Sequence, residues 1–166
     1  MPDIPPKPAK IVDARGLAAA RDELAGGGKR LVLTNGCFDL LHVGHVRYLQ
    51  AARRGGDALA IALNSDASVR LLKGEGRPLN SQNDRAEILA ALACVDFVTI
   101  FDEERVTRLI EQVRPMVYAK GGDYRLETLD PGERAALEKC GAEIFFVPMV
   151  PDRSTTKLVD AIRDGC

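Results

Sequence analysis

Short apolar runs alternate with amphipathic segments along most of the chain. The apolar runs are RLVLT, ALAIALN, DFVTIF, MVYAK and AEIFFVP, and the segments between them include HVRYLQAARRGG, SQNDRAEILAALA and ERVTRLIEQVR. Short runs bounded by turn residues and separated by helical patterns of about ten residues are typical of βαβ units. The pattern therefore predicts an α/β fold: a single domain with a central parallel sheet and helices on both faces.

The N-terminus differs in composition from the rest of the chain. Its first ten residues, MPDIPPKPAK, are rich in proline, which predicts a flexible N-terminal segment over residues 1–10. The next stretch, VDARGLAAARDELAGGG, predicts a short helix that stops at its glycine run. Because 166 residues suit one globular domain with a real core, we expect residues 11–166 to form that domain.

Composition excludes several classes of function. The formal net charge is -1, which argues against a nucleic-acid partner. No apolar run approaches the roughly 18 residues that a membrane span needs, and the prolines at the N-terminus do not suit a signal peptide. The four cysteines lack a C-x-x-C spacing and are expected to be reduced thiols. We therefore expect a cytoplasmic protein with no membrane partner.

The stretch TNGCFDLLHVGH, residues 34–45, contains both histidines of the chain. It follows the first predicted strand, so His42 and His45 fall in the opening turn of the first crossover helix, three residues apart and on one face. Free backbone N–H groups and the positive end of the helix dipole favour an anion there. Gly44 would let a phosphate approach the backbone, and Gly36 would let the strand exit turn sharply. The stretch predicts a phosphate clamp.

Other interpretations of this stretch are weaker. A single histidine near a helix start is more often a cap or a half-buried filler, but the pair occurs here together with Gly36, Phe38, Asp39 and Gly44. Neither a G-x-G-x-x-G fingerprint nor a G-x-x-x-x-G-K-[ST] loop is present. Hydride transfer and P-loop chemistry are therefore not indicated.

The segment GCFDLLHVGH resembles the G-x-F-D-x-x-H-x-G-H signature of the nucleotidyltransferase superfamily, which is cytidylyltransferase-like and Rossmann-like in fold. The stretches LNSDAS, LKGEGRPLNSQNDRAEILAAL, VDFV, KGGDY and STTKL resemble segments of bacterial D-glycero-β-D-manno-heptose 1-phosphate adenylyltransferases. The resemblance implies transfer of AMP from ATP to that sugar phosphate, giving ADP-heptose and pyrophosphate for the lipopolysaccharide core. It is a resemblance to the stand-alone form, so a sugar kinase is expected as a separate protein.

Physical roles can be argued for the residues that the signature contains. The attacking phosphate is already ionised at neutral pH, so the reaction needs alignment of two anions and neutralisation of the charge on the leaving pyrophosphate. We assign His42 and His45 to the ATP phosphates, with His45 nearest the α-phosphate, and we expect a bound triphosphate to favour protonated imidazole. Lys73 is the third candidate catalytic residue.

Basic residues outside the histidine stretch form a second group. Lys73 and Arg77 lie in RLLKGEGRPLN, whose glycines suggest a mobile loop that closes over the phosphates. A solvated turn is the alternative, and which of the two residues contacts phosphate stays open. Arg85 could anchor this loop through a carboxylate, reach a phosphate or be an exposed helix charge.

Two later segments are expected at the ligand edge of the sheet. KGGDY follows a predicted core strand, and STTKL begins another helix, where small hydroxyl and N–H donors suit phosphate. Asp123 is either a sugar or metal contact or a turn residue. The nucleotide-binding candidates are Thr34, Asn35, Gly36, Cys37, Phe38, His42, Gly44, His45, Arg77, Lys120, Gly121, Asp123, Ser154, Thr155 and Thr156. The substrate-binding candidates are Asp39, Asn64, Lys73 and Arg85.

Cofactor and function retain alternatives at this point. Mg²⁺ is expected with ATP, and Asp39 and Asp123 are the carboxylates that could contact it. Glycerol-phosphate cytidylyltransferases have RTEGISTT where this chain has MVPDRSTT, which favours adenine over cytosine. A cytidylyltransferase acting on glycerol 3-phosphate and a non-catalytic, nucleotide-binding regulatory domain remain as alternatives. A homodimer or higher homo-oligomer is expected from the resemblance.

Overall fold

The computed structural model describes residues 9–122 and 126–148, together with Thr155, Val159 and Ile162. Five strands form one sheet: β1 (Leu31–Gly36), β2 (Ala58–Asn64), β3 (Phe97–Phe101), β4 (Val117–Gly121) and β5 (Glu143–Val147). The helices are α1 (Ala14–Gly26), α2 (Val43–Arg53), α3 (Asp66–Lys73), α4 (Gln82–Ala90), α5 (Thr107–Val113) and α6 (Pro131–Cys140). A short 3₁₀ turn covers Leu126–Thr128.

All strand pairs are parallel, and the strand order is β3-β2-β1-β4-β5. Each apolar run of the sequence forms a strand, which confirms the predicted α/β fold of the Rossmann-like kind. The chain winds outward from β1 to β3 on one side and then crosses back to β4 on the other. The crevice between the carboxyl ends of β1 and β4 is therefore the point where a ligand is expected in an open parallel sheet.

Side chains of β1 alternate between two cores. Val32 packs on the face that also buries Leu49 of α2 and Leu89 of α4. Leu33 packs on the opposite face, which buries Leu17 of α1 and Ile110 of α5. Because both faces of the strand are covered, its sequence is continuously apolar rather than alternating. The helices thus lie on both faces of the sheet, as predicted.

The folded domain includes residues that the sequence assigned to the N-terminal segment. The Nζ of Lys10 donates to the carbonyl oxygen of Val95 at 2.7 Å, and the amide of Val98 donates to the carbonyl oxygen of Lys10. Ile11 forms a parallel bridge with Val98 at the edge of the sheet. Lys10 is therefore part of the domain rather than of a flexible segment, and residues 1–8 lie outside the described residues.

Two helices were not predicted. The segment RLLKGEGRPLN suggests a mobile loop, but its first four residues belong to α3. This helix has Ser65 as N-cap, whose hydroxyl accepts from the amide of Ser68. Helix α6 begins at Pro131 behind the capping carboxylate of Asp130 and ends at Gly141, whose φ is +68°. None of the helices described is long and apolar enough to cross a membrane.

Gly56, between α2 and β2, has no room for a side chain. A Cβ atom there would lie 2.7 Å from the carbonyl oxygen of Arg30 and 2.8 Å from a methyl of Val32. Because the first contact is with backbone, we predict that Gly56→Ala lowers the free energy of unfolding by about 1–3 kcal/mol. Urea unfolding followed by circular dichroism measures the change.

Gly26, at the end of α1, is the matched control, because a Cβ atom there meets nothing within 4 Å. Gly26→Ala should leave stability unchanged or raise it by up to about 1 kcal/mol, since alanine is the better helix former. Equal unfolding midpoints for the two variants would contradict the steric argument.

Candidate active site

A cavity of about 310 Å³ opens at the carboxyl edge of the sheet. Its walls come from the β1 exit, residues 35–39, and from the ends of β2, α3 and β4, with His45 of α2 and Thr155 completing them. The cavity therefore joins segments that the sequence had selected separately. Of the predicted nucleotide-binding residues, it contacts Asn35, Gly36, Cys37, Phe38, His45, Lys120, Gly121 and Thr155.

Both histidines lie at the start of α2, as predicted. His42 is the N-cap, and its Nδ1 accepts from the amide of Gly44 at 3.1 Å. The amide of His45 donates to the carbonyl oxygen of His42 at 2.9 Å. The two rings are stacked with 3.9 Å between their centroids. The amides of Gly44 and His45 are thus bonded within the helix start, whereas the sequence analysis expects the opening amides to be free for a phosphate.

The His45 ring is prepared for an anion but is neutral in the free protein. Its Nδ1 is buried and has no hydrogen-bond partner within the described residues. Burial, the neighbouring His42 and the positive charge of Lys73 lower the pKa of His45 to about 4. At neutral pH, protonation is therefore favoured only by an added negative charge, and a triphosphate beside this ring would supply one.

The sharp exit from β1 is made differently from the prediction. Phe38, and not Gly36, has a positive φ, of +43°. The Phe38 ring folds back over Gly36, where a Cβ atom would lie 2.8 Å from the ring. It also meets the His45 ring edge-on at 5.3 Å between centroids. Gly36 is needed to make room for this aromatic ring, which in turn supports His45.

Asp39 lines the cavity and forms an ion pair with Arg77. Asp39 is 3% exposed, and its carboxylate accepts from Arg77 at 2.8 Å and from the amides of Leu79 and Asn80. Burial raises the pKa of Asp39, but these hydrogen bonds outweigh it and the net pKa is below its ordinary value. The pair fixes the segment 77–80 beside the cavity, so Arg77 is the weaker candidate for phosphate contact.

Lys73 is the stronger of the two basic candidates. It is the last residue of α3 rather than part of a loop, and it lines the cavity exposed to solvent. No salt bridge to Lys73 is found in the part of the chain that the structure describes. Its charge acts on both Cys37 and His45. The loop itself begins after it, at Gly74, whose φ is +85°.

Arg85 is buried behind the cavity wall, against the ends of β1 and β2. It is 1% exposed, so the alternative of an exposed helix charge is wrong. Its guanidinium donates to the carbonyl oxygens of Cys37, Asn64 and Asn80 at 2.6, 2.9 and 3.0 Å and to the carboxylate of Asp66 at 2.7 Å. The loop-anchoring interpretation matches these bonds, which connect the ends of β1 and β2 to the start of α4.

Three further predicted residues, Thr34, Asn64 and Cys37, lie on the cavity wall or beneath it. The Thr34 side chain is fully buried and its hydroxyl bonds that of Tyr48 at 2.6 Å, so it lies beneath the cavity rather than on its wall. Asn64 lines the cavity while its amide donates to Ser68. Burial raises the pKa of the Cys37 thiol, which suits a wall residue better than a nucleophile.

The C-terminal candidates are described only in part. The hydroxyl of Thr155 donates to the carbonyl oxygen of Leu40 at 3.2 Å and lines the cavity. Asp123, Ser154 and Thr156 lie outside the described residues, as does the segment MVPDRS.

Sequence reasoning missed two residues of the cavity wall, Tyr48 and Leu72. Tyr48 is three residues after His45 on α2, so helical periodicity could have placed it on the same face. Leu72 belongs to the helix α3 that was not predicted. Among the described residues no group of three His, Cys, Asp or Glu side chains could hold a metal ion.

This geometry agrees with comparisons to known proteins. A family model described as cytidylyltransferase-like matches residues 33–160. The chain belongs to the cytidylyltransferase-like family. Its membership confirms the prediction of a nucleotidyltransferase.

Curated relatives are similar over most of this chain. A protein named bifunctional protein HldE from Geotalea uraniireducens is 53% identical over 161 residues, covering 97% of this chain and 32% of the relative. The protein of that name from Geobacter sulfurreducens is 56% identical over 135 residues, covering 81% of this chain and 27% of the relative. The chain therefore spans about a third of the length of these relatives.

Solved structures share the fold. A lipopolysaccharide core biosynthesis protein from Thermoplasma volcanium has a TM-score of 0.61 at 26% identity, over 74% of this chain and 98% of that one. A pantoate-beta-alanine ligase from Francisella tularensis has a TM-score of 0.56 at 12% identity, over 92% of this chain and 76% of that one. The second likeness concerns the fold alone.

The Asp39 ion pair predicts a pH-dependent contribution to stability. Asp39→Asn removes the charge that holds Arg77, so the free energy of unfolding should fall by about 1–3 kcal/mol at neutral pH. Because the folded pKa of Asp39 is lowered, its contribution is present above the unfolded pKa and is lost as pH falls through the folded pKa. Urea unfolding at several pH values should show the two proteins converging below about pH 4. Asp22→Asn, which removes an exposed ion pair, is the control.

The pKa of His45 should differ between the free and the nucleotide-bound protein. In the free protein we predict a pKa of about 4, and a bound triphosphate should raise it because its charge favours imidazolium. Nucleotide binding then takes up a proton, so affinity should increase as pH falls through the raised pKa. NMR of the two histidine rings with and without a non-hydrolysable ATP analogue measures this, and His45→Gln assigns the signal. An unchanged His45 pKa on binding would contradict contact with phosphate.

Proposed function

We propose that this chain transfers AMP from ATP to D-glycero-β-D-manno-heptose 1-phosphate, releasing pyrophosphate and forming ADP-heptose for the lipopolysaccharide core. The observation that carries the proposal is the cavity itself: His45 of α2, on which His42 is stacked, converges with Lys73 of α3 and Lys120 of β4 at the carboxyl edge of the sheet. A site with this many cationic and N–H donors and no activated nucleophile suits direct transfer between two phosphates.

The cavity has two sides that suit two substrates. On one side Asn35, Lys120 and Gly121 border the crevice between β1 and β4, where a nucleotide is expected in this topology. On the other side Asn64 and Lys73 border β2 and α3. We assign the nucleotide to the β1/β4 side and the phosphate of the acceptor to the Lys73 side. The histidines then lie near the α-phosphate, where the substrates meet.

The reaction follows from this arrangement. An oxygen of the acceptor phosphate attacks the α-phosphorus of ATP, and the bond from that phosphorus to the oxygen bridging to the β-phosphate breaks. Charge accumulates on the departing pyrophosphate, where the imidazolium of His45 and the N–H of His42 would stabilise it. Because the Nδ1 of His42 accepts from Gly44, only its Nε2 can donate in this arrangement. Lys73 would offset the repulsion between the two anions.

Magnesium is proposed as part of the substrate rather than as a resident ion. Asp39, the candidate ligand that the structure describes, has both oxygens engaged by Arg77 and by backbone amides. Its carboxylate does not fit a metal site unless these bonds break. Mg²⁺ would therefore be held by the phosphate oxygens of ATP.

The choice of sugar phosphate and nucleotide is supported by likeness. The curated relatives named bifunctional protein HldE are about half identical to this chain, and a solved neighbour is titled a lipopolysaccharide core biosynthesis protein. The family model is named for cytidylyltransferases, so CTP with glycerol 3-phosphate is the alternative that the assay must include. A homo-oligomer, a separate sugar kinase and a cytoplasmic location stay predictions.

A pyrophosphate-release assay tests the proposal. Purified protein is incubated with each of four nucleoside triphosphates and with heptose 1-phosphate, glycerol 3-phosphate and other sugar phosphates. We expect release that is fastest with ATP and heptose 1-phosphate and that depends on added Mg²⁺. Preference for CTP and glycerol 3-phosphate would contradict the assignment. Nucleotide binding without release for any acceptor would favour a non-catalytic, regulatory domain.

The histidine variants test the mechanism. His45→Ala and His42→Asn should each lower kcat by roughly 10² to 10³, the scale for one preorganised donor to a developing charge. Asparagine at residue 42 is a good N-cap, so the loss should not come from a destabilised helix. Gln50→Ala, an exposed change on the same helix, is the control and should keep wild-type kcat. Wild-type turnover in both histidine variants would refute the assignment.

A further inference from the structure

A buried charge pair lies at the nucleotide side of the cavity, and its carboxylate, Glu133, has no part in the mechanism above. The carboxylate of Glu133, on α6, is 3.2 Å from the ammonium of Lys120, on β4. The two side chains are 4% and 16% exposed. Burial of such a pair costs desolvation that its attraction barely repays, so its presence at a ligand cavity calls for a functional explanation.

The pair contacts one residue of the cavity wall, Asn35. Its amide oxygen accepts from the hydroxyl of Tyr118 at 2.7 Å and from Lys120 at 3.3 Å. Glu133 lies within 3.4 Å of the same hydroxyl. Tyr118 and Lys120 thus both contact the oxygen of the Asn35 amide, and Glu133 contacts both of them.

These contacts determine which way the Asn35 amide points. An ammonium group can only donate, so the end of the amide that faces Lys120 must be the oxygen. The NH₂ end is then directed away from this network, and it makes no hydrogen bond within the described residues, although Asn35 lines the cavity. The NH₂ group of Asn35 therefore presents its two N–H donors to the cavity at the exit of β1.

We propose that Glu133 is a positioning residue: by holding Lys120 against the amide oxygen of Asn35, it presents the Asn35 NH₂ group to an oxygen of the nucleoside triphosphate. The inference rests on the proposed function, which places the nucleotide on the β1/β4 side of the cavity. Glu133 itself contacts no substrate in this arrangement. Its effect passes through Lys120 and Asn35, and it should govern nucleotide binding more than the chemical step.

The test compares Glu133→Gln with the wild-type protein. The substitution keeps the shape of the side chain and removes its charge, so Lys120 is no longer held against Asn35. We expect the KM for ATP to rise about 3- to 10-fold, the size of one neutral hydrogen bond, while kcat and the KM for the acceptor change less than about twofold. Glu138→Gln, on the same helix, removes only the exposed pair with Arg134 and should change none of these values.

A double-mutant cycle separates positioning from general damage to the fold. If Glu133 acts through Asn35, Glu133→Gln should add nothing to the effect of Asn35→Ala on ATP affinity. Independent, multiplied effects would overturn the proposal, as would a loss confined to kcat. Thermal unfolding of each variant checks that it is folded.

Calorimetric titration with a non-hydrolysable ATP analogue gives the same comparison without turnover. A protein that releases no pyrophosphate with any acceptor would defeat the proposed function. The analogue would still report whether Glu133→Gln weakens nucleotide binding through Asn35. Equal affinity of the wild-type and Glu133→Gln proteins for the analogue would overturn the positioning role alone.

Discussion

The buried guanidinium of Arg85 is the interaction on which the site depends. It bonds the carbonyl oxygens of Cys37 and Asn64, which follow adjacent strands, and the carbonyl oxygen of Asn80 before α4. A buried charge with fewer partners would be costly, because each unmade bond leaves the desolvation of the group uncompensated. The same bonds that make this burial tolerable hold the cavity walls at fixed separation. The same hydrogen bonds of Arg85 therefore determine both the geometry of the site and the stability of the carboxyl edge of the sheet.

Charge around the cavity is divided between residues that build it and residues that remain for a ligand. Arg77 is engaged by Asp39 and Arg85 by Asp66, so these cations are offset by carboxylates. Lys73 has no such carboxylate among the described residues, and the His45 ring stays neutral until an anion arrives. The free site thus avoids an accumulation of unpaired positive charge. A bound triphosphate would favour protonation of His45 and so add a positive charge beside the phosphates.

The sequence predicted the strands well because each reads as a short apolar run, most clearly the inner strand β2, which is buried at every position. It also placed His42, His45 and Lys120 at one edge, since parallel strands end on the same side. It did not find α3, whose short sequence runs into a glycine-rich loop. The partner of Asp39 lies 38 residues away, and that of Lys120 lies on a helix that was not predicted. Such pairs follow from tertiary packing and leave no local pattern.

The resemblance to a known signature identified the histidines but not their protonation states. The Nδ1 of His42 accepts the capping hydrogen bond from the amide of Gly44. This bond fixes the tautomer of a neutral ring, in which Nε2 is the donor. Burial, the stacked His42 and the charge of Lys73 together lower the pKa of His45, so its ring is neutral at neutral pH without a ligand. In the proposed mechanism, His42 would therefore supply the helix cap and a neutral N–H donor, and His45 a charge that depends on substrate. Both roles require the two rings to lie on one face of the opening turn of α2, where they stack.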